Sequence, residues 1–143
     1  MIRAESPVLV TAVRLASPLA VVVAVYLFFA GHNRPGGGFA AGLVIGAVLS
    51  LRIVAGLQRP DRCIELLALG GVIASAVALA PVLAGEPLLQ QVVVEFTLPL
   101  VGTVKTGSAA LFDLGVTLIV VGTVMAVLDG LGATSLAPGE EES

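Results

Sequence analysis

Four apolar stretches, each long enough to cross a lipid bilayer, are what most restricts the fold of this chain. They cover residues 7–30, 38–57, 64–83 and 108–131. A helix needs about 20 mostly apolar residues to span the hydrocarbon, and in lipid it can satisfy its backbone hydrogen bonds within one segment. Composition agrees: 57% of the 143 residues are hydrophobic, 12% are charged, and the mean hydropathy is +1.08. Soluble domains carry about 25% charged residues, so this chain cannot coat a water-facing surface. The sequence predicts an all-α integral membrane protein. A single domain of four transmembrane helices takes residues 1–134, and an acidic, disordered tail takes 135–143.

Turn-forming residues separate the spans. Pro7 after Ser6 suits a helix start, where the missing N–H is no loss. Pro18 lies inside the first span and should kink it, freeing the carbonyl of Arg14. That span is too long for a signal peptide and lacks a cleavage site, so we read it as retained. Breaks follow at His32-Asn33-Arg34-Pro35-Gly36-Gly37, at Gln58 to Cys63, and at Gly85-Glu86-Pro87. The connection 84–107 is long and apolar, interrupted by Glu95 and Pro99. Val94 to Leu98 alternate with period two, which suggests a short extended piece. We read the connection as a long outer loop, against partner subunits or in the outer interface, with a weak fifth span as the alternative.

Lys and Arg near the span ends set the orientation. Arg3, Arg14, Arg52, Arg59 and Arg62 fall on one side, Arg34 and Lys105 on the other, which places both termini in the cytoplasm. Arg14 and Arg52 sit inside spans, where their head groups can snorkel to that surface as interfacial anchors, with a place in an ion path as the alternative. The formal charge of −3 comes from Glu140, Glu141 and Glu142, and the balance elsewhere argues against a nucleic-acid partner. One Cys and one His argue against a disulfide and against a metal site. No cofactor fingerprint and no catalytic constellation is visible.

Three features carry candidate roles. Gly38, Gly42, Gly46 and Ser50 recur every fourth residue, which makes a smooth helix face for close packing on an internal or a foreign helix. Gly115 and Gly122 form a weaker version in the fourth span. The run Asn33-Arg34-Pro35-Gly36-Gly37-Gly38-Phe39 is richer in glycine than a turn requires, and its N–H groups lead into a helix start. Asp113 lies five residues into the fourth span, with Lys105 before it. It is either a helix-end carboxylate or a member of an ion or proton relay, its charge offset by Lys105. Asp129 and His32 read as boundary residues.

At Gly31-His32-Asn33-Arg34-Pro35-Gly36-Gly37-Gly38-Phe39 followed by Gly42, the chain resembles the MnhB/MrpB family, the B subunits of multisubunit Mrp-type Na⁺/H⁺ antiporters. A second block agrees: Leu98-Pro99-Leu100, Gly102-Thr103-Val104-Lys105, then Ala110-Leu111-Phe112-Asp113-Leu114-Gly115-Val116. The resemblance implies a multi-pass protein of a prokaryotic cell membrane. It implies a non-catalytic subunit that works with other membrane subunits, in a complex moving Na⁺ against H⁺. It also makes Pro35 and Phe39 the loop residues expected to matter most. Related B-type subunits occur in membrane-bound hydrogenases, so an anchor for a redox complex is the alternative. An autonomous four-span transporter is a third reading, although such exporters look to need an acid in the first span, and residues 7–30 have none.

Overall fold

A computed structural model describes residues 7–31, 37–88, 93–98 and 102–132, with 93–98 and 102–106 as backbone only. Among the described residues there are four helices: α1 (Pro7–Ala30), α2 (Gly37–Val54), α3 (Cys63–Leu83) and α4 (Ser108–Gly130). Each is long and apolar enough to span a membrane. The tail and the loop residues Asn33, Pro35 and Gly36 lie outside the described residues.

The helix boundaries have local causes. α1 runs through Pro18 as one element of 24 residues. α2 stops three residues short of the expected Leu57, because Gly56 takes φ 69° and closes a Schellman turn. In that turn the Leu57 N–H donates to the Arg52 carbonyl at 2.8 Å and the Gly56 N–H to Ile53 at 2.9 Å. α3 starts after Arg62, whose φ of 57° is left-handed. Cys63 is thus the first residue of α3 and buried, not part of the second connection as the sequence suggested. Hydroxyls inside the apolar helices return to the carbonyl four residues back: Thr11 to Pro7, Ser17 to Val13, Ser50 to Gly46 and Thr123 to Ile119, at 2.6–2.8 Å. Polar side chains so satisfied carry little penalty in lipid.

The helices form a row in the order α1, α2, α4, α3, each packed chiefly on its neighbours. Glycine positions give the directions. Along α2, Gly38, Gly42 and Gly46 meet Asp113, Val120 and Val124 in turn, so α2 and α4 run parallel. Gly115 meets Gly70 and Ala74 of α3, whereas Gly122 meets Leu67 and Cys63, so α3 and α4 are antiparallel. The inner pair is best covered: 39% of the most apolar stretch of α2 is buried, against 6% for α3 at the end of the row. An apolar cluster of Cys63, Val121 and Met125, backed by Ile45, Leu49 and Leu66, fills the end of the row where α3 begins.

Among its described residues, the connection between α3 and α4 holds no fifth helical span. Its described backbone forms an antiparallel hairpin of β1 (Val93–Leu98) and β2 (Gly102–Gly107). The expected extended piece at Val94 to Leu98 lies within β1. Register sets Glu95 opposite Lys105 and Val93 opposite Gly107, and β2 runs directly into Ser108 of α4.

Candidate functional site

Because α2 and α4 are parallel, the first turn of α2 lies beside the second turn of α4, and this brings the two separate sequence blocks together. Gly37 opens α2 with φ 72°, a left-handed conformation that glycine adopts freely. A Cβ there would stand 2.9 Å from Asp113 Oδ2, so this glycine also clears room for the carboxylate. At Gly38 the backbones themselves touch. A Cβ would overlap the Asp113 carbonyl oxygen and lie 2.6 Å from its carbonyl carbon and 2.8 Å from its Cα. The hydrogen in that position points at the oxygen, the geometry of a weak Cα–H···O contact.

Thr117, one turn along α4, joins the two helices. Its buried hydroxyl lies 2.9 Å from the Gly38 carbonyl and 2.8 Å from the Asp113 carbonyl, and its single proton is shared between them. The carboxylate of Asp113 therefore stands beside the start of α2, where the N–H groups of a helix N-terminus and the helix dipole favour negative charge. A carboxylate in such a place can hold a proton or face a monovalent cation. The two cations that the sequence puts on this side, Arg34 and Lys105, have side chains outside the described residues, as does the expected pairing of Lys105 with Asp113.

The remaining candidates divide clearly. Gly42 and Gly46 continue the seam, with Val120 and Val124 of α4 at 2.9 Å and 3.1 Å from a Cβ at each. The partner of this stripe is thus an internal helix. Ser50 is half-buried and bonded to Gly46. Phe39, one of the loop residues expected to matter most, is 58% exposed among the described residues. Between α1, α2 and α4 an apolar groove of about 200 Å³ is lined by Ala24, Phe28, Ala41, Ile45, Leu114 and Thr117, among others.

Sequence reasoning missed Thr117 and Gly70. Thr117 was findable as a hydroxyl four residues after the only acid in the first half of the last span. Gly70 was hidden in the pair Gly70-Gly71, because nothing in the sequence says which of the two faces a neighbour.

Comparison with known proteins agrees with the four-helix fold. The domain related to the MnhB subunit of Na⁺/H⁺ antiporters matches residues 8–126. A Staphylococcus epidermidis protein named antiporter subunit mnhB2 is 38% identical over 109 residues, covering 72% of this chain and 77% of that protein. A Staphylococcus aureus protein of the same name is 33% identical over 129 residues, covering 85% and 90%. Among solved structures, a chain in the Mrp complex from Dietzia sp. DQ12-45-1b superposes with a TM-score of 0.77 at 28% identity. That superposition covers 97% of this chain and 16% of the much longer matched chain. On the family match across residues 8–126, this four-span membrane protein belongs to the MnhB family.

Proposed function

We propose that this chain is a non-catalytic membrane subunit of a hetero-oligomeric Na⁺/H⁺ antiporter, and that the junction of α2 with Asp113 is where it contributes to ion movement. The observation that carries the reading is the Asp113 carboxylate beside the glycine start of α2, on an apolar helix where an unneeded acid would be costly. The family's description supplies the ions, and the names of the relatives and of the matched complex supply the multisubunit setting. The test is Asp113→Asn in the intact complex. Asparagine keeps the shape, so assembly is retained, whereas Na⁺-driven proton movement in vesicles falls. Undiminished exchange by a complex of normal composition leaves Asp113 as a helix-end group and removes this reading.

Both termini face the cytoplasm in this proposal. The start of α1, the end of α2 and the start of α3 lie on the same side of the helix layer, at one end of the helix axes, together with Arg14, Arg52, Arg59 and Arg62. Cys63 is too buried to report on this, but Arg59 is exposed. In a Cys63→Ala background, Arg59→Cys is labelled by a membrane-impermeant maleimide in inverted vesicles and not in intact cells. Labelling of intact cells reverses the orientation.

A further inference from the structure

We propose that Thr117 is a positioning residue for ion exchange: its hydroxyl holds the start of α2 in register with the Asp113 carboxylate. The inference rests on the reading of Asp113 given above. Three observations support it. Thr117 is buried, and its hydroxyl makes a side-chain hydrogen bond that crosses from α4 to α2. The hydroxyls of Thr11, Ser17, Ser50 and Thr123, by contrast, bond to a carbonyl of their own helix. The bond also ends at the two residues that matter here, the backbone of Asp113 and the backbone of Gly38.

Packing alone sets the distance between α2 and α4, because Gly38 already touches Asp113. It does not prevent the first turn of α2 from sliding along α4. Ridges without directional bonds permit such shifts at small cost, and a hydroxyl shared between two carbonyls opposes them. A slide of a fraction of an ångström would change how the α2 amide groups face the carboxylate. A cation or proton at Asp113 would then bind differently, while the helices remain packed.

The experiment compares Thr117→Val, Thr117→Ala and Thr117→Ser in the whole complex, with Asp113→Asn alongside. Valine keeps the volume and the β-branch and removes the hydroxyl. Its complex assembles, and the Na⁺ concentration for half-maximal exchange rises roughly 2- to 10-fold, as the loss of one hydrogen bond implies. Maximal exchange changes less, and serine restores the original value. If Asp113→Asn impairs exchange while Thr117→Val at normal assembly leaves the Na⁺ dependence unchanged, the positioning role is overturned and the Asp113 reading stands. If Asp113→Asn has no effect, both fall. If valine and alanine both prevent assembly while serine permits it, the hydroxyl is purely structural and the inference is again overturned.

Discussion

The two faces of α4 are packed by different means. Toward α2, the small residues belong to the partner: Gly38, Gly42 and Gly46 receive Asp113, Val120 and Val124. Toward α3, α4 itself supplies Gly115 and Gly122, and α3 answers with Gly70. The first face holds a carboxylate and a hydroxyl bond between helices, and its contacts beyond Gly38 are largely to side chains. The second joins backbone to backbone: a Cβ on Gly70 would stand 2.7 Å from the Gly115 carbonyl oxygen, and one on Gly115 2.8 Å from the Ala74 nitrogen. One face is thus a junction that side chains can tune, and the other is a rigid strut. In lipid both depend on close fit, since hydrocarbon offers no hydrophobic drive between helices.

The sharpest way to break this comparison is Gly38→Ala. Its methyl would overlap the Asp113 carbonyl oxygen, with backbone on both sides unable to yield. We expect a loss at or above the upper end of the roughly 1–3 kcal/mol typical of overpacking. Recovery of intact complex should fall below that of Gly42→Leu, Gly46→Ala or Gly122→Leu. Normal recovery would mean that α2 and α4 stand further apart than the contact of Gly38 with Asp113 implies.

Next in size is the pair Gly122→Leu and Gly42→Leu. The sequence ranks the fourth-span glycines as the weaker seam, but the contacts at the two positions are comparably tight. A Cβ on Gly122 meets the Leu67 nitrogen at 3.0 Å and the Cys63 carbonyl oxygen at 3.1 Å, and one on Gly42 meets the Val120 Cβ at 2.9 Å and the Thr117 carbonyl oxygen at 3.2 Å. Gly122→Leu should therefore reduce assembly about as much as Gly42→Leu. A clearly milder Gly122→Leu would restore the original order.

The smallest effects separate contact from composition. Gly46→Ala presses only on the Val124 side chain, with its nearest atom at 3.1 Å, and should cost on the order of 1 kcal/mol or less. Gly71→Ala meets nothing within 4 Å, and because alanine is the better helix former by about 1 kcal/mol it should be neutral or stabilising. Thermal stability of the detergent-extracted complex reads both. A Gly71→Ala loss equal to that of Gly70→Ala would show that glycine content, and not placement, matters in α3.

Much of this was legible in one dimension because lipid leaves a chain few choices. The length and apolarity of each span, the breaks between them and the extended segment at Val94 to Leu98 follow from local chemistry. So does the four-residue recurrence of Gly38, Gly42, Gly46 and Ser50, which defines a helix face whatever lies opposite. Helical periodicity, however, gives a face and not a partner. Only the tertiary structure placed α4 between α2 and α3, chose Gly70 over Gly71, left Phe39 exposed and set Asp113 and Thr117 against Gly37 and Gly38. Those choices depend on shape matching between residues as much as 79 positions apart. Contact at that range is settled by which backbones can approach, a property of pairs of surfaces that no single stretch of sequence carries.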